Sequence, residues 1–398
     1  VLASEVIVVG GGLVGLAAAG RLGRAGVGVT LLEGSERLGG RLGGGGGLAV
    51  DPVAHRLAGA LPAPGCDELT RLVTGSVGPD SGCDRIFLDG RWTEAPLGGR
   101  RGIVEAVRPI VARKIWGLPE PALEPEAVTA GLSALGLVAP AVRSARRPAP
   151  PSSWRLEGGL ARLVDALADG IVGAGGVLRL GCAVDGVRPD GDVVHVHTDD
   201  GAITTARQVV LALPLPGILG LLRDVPHAVR NAAAAQRWRS LVSVLLEVPG
   251  TLATDLDGRW FPGGDTPILR LAVVGAARPG PTAVVSAELM VTRDDPLWLA
   301  SDDELVEVVR QHLVRTGLPD PAPLAVQVHR LADLLPVPRR GAQRHLAVVD
   351  DWLAGEPRLS VPGGPPLVPH HEPHRLLAAG CAAARSALAQ LAVSSAMA

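Results

Sequence analysis

Residues 4–35 read SEVIVVGGGLVGLAAAGRLGRAGVGVTLLEGS. From Glu5 to Val9 the chain is a short apolar run, the pattern of a strand buried on both faces. Gly10, Gly12 and Gly15 follow as G-x-G-x-x-G. An alanine-rich helix then runs to about Gly26, and a second strand covers Val27 to Leu32 and ends at Glu33. The spacing has a physical logic. Gly10 permits the tight turn, Gly12 lets backbone come close to a pyrophosphate, and Gly15 lets helix and strand pack closely. The helix start offers free N–H groups and a positive dipole end to phosphates. Glu33, eighteen residues after Gly15, can accept hydrogen bonds from ribose hydroxyls and would repel a 2′-phosphate. Glycines that merely ease helix–sheet packing would explain the triplet, but not the strand, helix and acid around it. The expectation is a dinucleotide site on a Rossmann-type unit, with NAD and FAD both open.

The residues that follow separate the two cofactors. Glu33-Gly34-Ser35-Glu36-Arg37-Leu38-Gly39-Gly40-Arg41 resembles the E-x-x-x-R-x-G-G-R signature of the FAD-dependent amine oxidase superfamily. That group includes protoporphyrinogen oxidases, phytoene desaturases and monoamine oxidases. The resemblance implies FAD as cofactor, with Gly39, Gly40 and Arg41 beside its phosphates and flavin and Arg37 ordering the loop. Gly43 to Gly47 sit where the family carries a variable loop, and they read as a connector without contacts of their own. Val50-Asp51-Pro52-Val53-Ala54-His55 resembles the family's turn toward the flavin, with Val53 where glycine is usual. On that resemblance His55 is the candidate cavity residue, a hydrogen-bonded structural histidine being the alternative.

The resemblance extends to the rest of the chain. Trp154 to Leu163 is similar to the family's G-G-x-x-x-L helix start. The segment Cys182 to Val187 matches one whose valine, here Val184, holds adenine through its main chain. Ala206 to Pro214 resembles the strand that re-enters the cofactor domain. Leu359 to Gly380, LSVPGGPPLVPHHEPHRLLAAG, aligns with a subgroup pattern. It implies that Gly363 meets the ribityl chain and that Leu376 to Ala384 starts a helix at the pyrimidine end. Gly364, Pro366, His370 and His374 depart from that pattern's arginine, glycine, tyrosine and aspartate, which leaves two alternatives: a reduced cofactor affinity, or His374 standing in for the acid as a hydrogen-bond partner. His370 and His374 also have the spacing of metal ligands on a helix. Pro369 and Pro373 argue against a helix there, and no further ligand set is visible, so no metal is expected.

Composition narrows the function classes. The chain has 398 residues, 47% of them apolar, and a net charge of −2. Near-balance of charge removes the electrostatic case for nucleic acid or an anionic membrane as main partner. Neither Val6–Gly20 nor Val209–Leu222 reads as a signal or spanning segment: the first lacks a basic start, and the second holds Pro214 and Pro216. Cys66, Cys83, Cys182 and Cys381 are scattered and form no C-x-x-C, which fits reduced thiols in a cytoplasmic protein. There is no tyrosine, two phenylalanines and one lysine, Lys114. An aromatic cage for a cationic amine is therefore hard to build. Trp116, Trp238 and Trp260 read as core before pocket wall. In DVVHVHTDD, His195 and His197 alternate with valines and fall on the polar face of a strand.

The expected fold class is α/β (α+β overall). A Rossmann-type FAD-binding domain with a parallel sheet is discontinuous over 1–60, 155–220 and 340–398. A mixed α/β substrate lobe takes 61–154 and 221–339. The expected activity is FAD-dependent oxidoreduction of a small-molecule substrate, as an oxidase or dehydrogenase, with hydride passing from a substrate C–H to flavin N5. Monoamine oxidase relatives place a lysine near N5, and Lys114 lies outside the matching region. With few aromatics, this favours desaturation or ring oxidation of an apolar, in one form polycyclic, molecule over amine oxidation. The alternatives are a non-redox FAD enzyme of mutase or isomerase type and a degenerate relative acting as a partner subunit. Oligomeric state is not legible.

Overall fold

The structure is a computed structural model that describes residues 4–40, 48, 57–58, 77–79, 85–94, 101–134, 153–156, 159–274, 280–362 and 373–396. Its first sheet has five parallel strands in the order Leu359–Ser360, Gln208–Leu211, Val6–Val9, Val29–Leu32, Val177–Arg179. The three central strands are buried along their whole length, as expected where both faces are covered. One face packs on helices Leu13–Arg24, Gly159–Gly173 and Pro373–Ala396. The other packs on a three-stranded antiparallel sheet (184–206) and on helices His227–Ala234 and Ala342–Ala354. In that small sheet Val194 and Val196 are fully buried, while His195 and His197 share the half-exposed face.

The C-terminal helix departs from the sequence reading at its start. It begins at Pro373, three residues before the expected Leu376. Proline at the first helical position is compatible because its missing N–H would have had no partner there. By length and composition, Leu376–Val393 could cross a membrane. Leu377, Cys381, Ala384, Ala387 and Leu391 are instead buried against Leu13–Arg24 and its neighbours, the packing of a core helix.

The second sheet has seven strands, in the order Ala325–Pro336, Trp238–Pro249, Thr282–Val291, Ile268–Val274, Arg259–Trp260, Arg85–Leu88, Arg91–Glu94. Its long strands run antiparallel, and Val242, Val244, Leu246, Val285, Ala287 and Leu289 alternate onto one face. Helices Gly250–Leu256 and Asp302–Arg315 cover that face. The second of these is well specified locally: Ser301 and Glu304 form a reciprocal capping box, and Asp302 and Asp303 add negative charge to the first turn. The opposite face carries Ser243, Leu245, Ser286, Glu288, Arg270 and Ala272, brought level by the strand registers. Arg270 and Glu288 form a buried ion pair there, with contacts of 2.5 and 3.2 Å, and the Arg270 guanidinium lies 5.1 Å from the Trp260 ring.

Candidate functional site

The first strand ends at Gly10, and the chain turns directly into helix Leu13–Arg24. A Cβ on Gly15 would overlap the Gly10 carbonyl oxygen, so the helix can sit this close only with glycine at that position. Gly12 is the N-cap; no side chain caps it among the described residues, and the first turn carries no acid. The dipole end and free N–H groups of this helix therefore stay available to an anion.

Glu33, at the end of the second strand, turns back over the glycine turn. Its Oε2 accepts the Gly11 N–H at 2.6 Å, and its Oε1 accepts the Ser35 N–H at 2.9 Å and the Ser35 hydroxyl at 2.7 Å. These bonds hold the carboxylate rigidly while leaving lone-pair capacity on Oε2. The Arg37 carbonyl lies 2.7 Å from the same Ser35 hydroxyl and shares its single donor with Glu33. Arg37 itself is exposed.

Gly39 and Gly40 come back onto the same corner. The Gly39 N–H donates to the Gly11 carbonyl at 2.9 Å, and Gly12 and Gly39 form a parallel bridge. Gly40 has φ +58°, and a Cβ there would lie 3.0 Å from the Gly12 Cα. Only glycine meets both demands without strain. Two separate glycine pairs thus bring bare backbone together at an uncapped helix start. That arrangement and the adjacent carboxylate fit a nucleotide pyrophosphate with its ribose.

Residues 179–184 are tied to the same edge. The Glu33 N–H donates to the Arg179 carbonyl, Gly181 N–H to Ser35, and Cys182 N–H to Glu33, each at 2.9 Å. Half-buried Val184 follows at once and so lies beside the Glu33 end of the corner. From the other side, Gly380 of the C-terminal helix packs on the Val14 carbonyl in the first turn of Leu13–Arg24. Leu376, one turn earlier, packs against the same core. The structure therefore gathers Gly10, Gly12, Gly15, Glu33, Gly39, Gly40, Val184 and Leu376 around one helix start. Arg41, His55, Gly363, Gly364, Pro366, His370 and the Gly43–Gly47 connector lie outside the described residues, as does the side chain of His374.

In the second sheet's unit, Trp116 and Trp260 are buried core residues. Lys114 donates to the carbonyls of Gly263 and Thr266, and burial pulls its ammonium down to about 8 against the opposing effect of Asp265. Sequence reasoning missed the anchor at Leu48. Its N–H donates to the Gln327 Oε1 at 3.0 Å, and its side chain packs with Leu245, Ala272 and Val274. Among the described residues, no group of three or more His, Cys, Asp and Glu is placed to hold a metal.

Comparison with known proteins agrees with this geometry. The family model for flavin containing amine oxidoreductases matches residues 133–397. A coproporphyrinogen III oxidase of Propionibacterium freudenreichii subsp. freudenreichii is 31% identical over 215 residues, which is 52% of this chain and 40% of that protein. Among solved structures, cyclohexylamine oxidase from Brevibacterium oxydans IH-35A superposes with a TM-score of 0.68 at 17% identity, over 98% of this chain and 99% of that one. An Exiguobacterium sp. 255-15 protein provisionally assigned as a protoporphyrinogen oxidase gives 0.71 at 18% identity, over 98% and 99%. Reduced UDP-galactopyranose mutase gives 0.73 at 14% identity, over 98% and 94%. These structures share the fold. With a family match across two thirds of its length, the chain belongs to the flavin containing amine oxidoreductases.

Proposed function

We propose that the protein oxidises an apolar polycyclic small molecule, for which bound FAD supplies the acceptor of a hydride from a substrate C–H. The observation that carries this reading is the meeting of Gly39–Gly40 with Gly11–Gly12 over an uncapped helix start beside Glu33. Gly10, Gly12, Gly15, Gly39 and Gly40 would admit the pyrophosphate, Glu33 the ribose, Val184 the adenine and Leu376 the pyrimidine end. Arg37 would order the loop, with Arg41, Gly363 and His374 assigned to the cofactor by resemblance. We divide the chain into an FAD-binding part (1–60, 155–220, 340–398) and a substrate lobe (61–154, 221–339). The two large sheets support this, the first drawing on 6–32, 177–211 and 359–360 and the second on 85–94 and 238–336, whereas a small sheet of 57–58, 153–156 and 77–79 draws on both parts.

Two further features support the substrate class. The chain's single lysine donates to the carbonyls of Gly263 and Thr266 and lies outside the region where monoamine oxidase relatives carry theirs. The relative from Propionibacterium is named for coproporphyrinogen, a tetrapyrrole macrocycle with carboxylate side chains, which supports the polycyclic part of that class and not its apolar part. The test is anaerobic mixing of the yellow protein with porphyrinogens, polyenes, polycyclic ketones and amines. Bleaching by a porphyrinogen or another polycycle is expected, and recovery of colour on admitting air would mark an oxidase. Bleaching by amines alone would overturn the substrate class. FAD retained without bleaching by any of them would favour the non-redox reading, for which the likeness to UDP-galactopyranose mutase is the observation.

A further inference from the structure

The chain passes between the two large sheets at 235–237 and again at 337–341. Helix His227–Ala234 packs on the first sheet before the first passage, and helix Ala342–Ala354 packs on it after the second. The two passages run side by side. The Val337 N–H donates to the Arg237 carbonyl at 2.8 Å, and the buried Gln236 amide donates to the Arg237 and Val337 carbonyls at 2.7 and 3.1 Å. Such a neck is where a hinge between two packed units belongs, because a few φ/ψ changes there swing everything beyond it.

A third segment crosses the neck. Residues 119–124 belong to the second sheet's unit through Leu123, which is fully buried with Trp116, Leu334 and Leu335. The Glu124 N–H donates to the Pro338 carbonyl at 2.8 Å, and the Arg340 N–H donates to the Ala122 carbonyl at 3.0 Å. Arg340 Nε adds a bond to the Leu123 carbonyl at 3.3 Å, and Leu123 and Arg339 form an antiparallel bridge. Finally, the Gly341 N–H donates to Glu124 Oε1 at 3.0 Å.

That last bond reaches the helix itself. Gly341 is the N-cap of Ala342–Ala354, with φ +77° and no side chain to offer. In a capping box the N-cap N–H is met by an acid at the third helical position. Here that position is Arg344, and Arg339 and Arg340 stand just before the cap. The helix's own residues therefore add positive charge at its positive end. The acid comes instead from Glu124, 217 residues away. Glu124 is also the N-cap of helix Pro125–Ala134, whose Ala127 and Val128 N–H groups donate to its carbonyl. One carboxylate thus lies between the positive ends of two helices, one from each unit. Beyond the cap, Val349 and Leu353 are buried with Val9, Leu32 and Leu211, on the strands that lead into the glycine corner.

We propose that Glu124 is a clasp between the two parts: its carboxylate caps Ala342–Ala354 from the substrate lobe and fixes the angle at which that lobe stands to the FAD-binding part. It is a positioning residue, and the proposal rests on the division of the chain into those two parts.

The test is the distance between paired spin labels in the FAD-loaded full-length protein. Cys66→Ser and Cys83→Ser leave only the buried Cys182 and Cys381 as native thiols. Labels on exposed Val172→Cys and Val314→Cys report between the parts, and labels on Val172→Cys and exposed Val393→Cys report within the FAD-binding part. With Glu124 present, each pair should give one narrow distance. Glu124→Ala should cost the first pair its narrow distance and leave the second unchanged, with FAD still bound. Glu124→Gln, which keeps an oxygen for the Gly341 N–H, should restore the narrow distance at least in part. A between-part distance in Glu124→Ala as narrow as with Glu124 overturns the clasp, and so does a complete failure of Glu124→Gln to restore it. Broadening of both pairs, or loss of FAD, marks general loosening and overturns it too. Adding Gln236→Ala to Glu124→Ala separates the clasp from the division. If that double variant alone broadens the first pair, the neck sets the angle and the clasp falls. If even the double variant keeps it narrow, the parts move as one body and the division falls.

Discussion

Glu33 binds its own chain through three hydrogen bonds before any ligand is considered, so its carboxylate is already oriented. Glu33→Gln keeps an oxygen for the Gly11 N–H but removes the charge from the acceptor. FAD affinity, measured by fluorescence titration, should fall roughly tenfold, since hydrogen bonds to charged groups are worth about 1.5–3 kcal/mol. An unchanged affinity would place the ribose elsewhere. Lys114 makes a separate prediction. Its ammonium titrates near 8 in the fold and at 10.5 when free, so the unfolded chain binds more protons between those values. Folding stability should therefore rise with pH across that window, by up to ~1.4 kcal/mol per unit for one proton. Denaturant melts of Lys114→Met should lack this slope. Both residues could be singled out in the sequence, Glu33 by its spacing and Lys114 as the only lysine. Only Glu33 could be given its place, because spacing along one β-α-β unit fixes position and mere rarity does not.

At the scale of elements, the crossing of the C-terminal helix over Leu13–Arg24 decides the corner. Gly380 lies against the Val14 carbonyl and beside the Ala17 methyl, so the two backbones meet with nothing between them. Gly380→Val must push the helices apart or bend one of them. Thermal melts should show a loss of about 1–3 kcal/mol, the usual cost of overpacking. FAD retention should fall with it, since Leu376 sits one turn from the contact. The sequence reading took the first helix from the glycine turn and the alanine-rich run after it, and the second from the family resemblance. The resemblance put its start at Leu376, and prolines at 369 and 373 read as breakers before it, whereas Pro373 occupies the one helical position that tolerates it. The long strands of the second sheet were anticipated only as part of a mixed α/β substrate lobe over 61–154 and 221–339. In the structure, helix His227–Ala234 comes first and the strand starts at Trp238.

For the whole molecule, FAD is a ligand of the folded state alone, and its removal should show as lost stability. At a concentration near a thousand times its dissociation constant it adds about 4 kcal/mol, so melting of reloaded protein should rise by roughly 5 °C or more over the apoprotein. No such rise in a folded apoprotein would argue against the glycine corner as the cofactor site. Gly10, Gly12, Gly15, Glu33, Gly39 and Gly40 were readable in order along the first forty residues. Each answers a local demand, a close approach or a charge at fixed spacing, that few residue types can meet. The same local logic implied a parallel nucleotide-binding sheet, while FAD and its family came from the resemblance that Glu33 to Arg41 carries. The partners of Leu48, Arg270 and Lys114 were decided by tertiary structure alone. Leu48 finds Gln327 at a separation of 279 residues, and Arg270 finds Glu288 through the register of two strands. Contacts of that kind depend on which strands become neighbours and in what alignment, and many ordinary polar or apolar residues can make them, so no local pattern announces them.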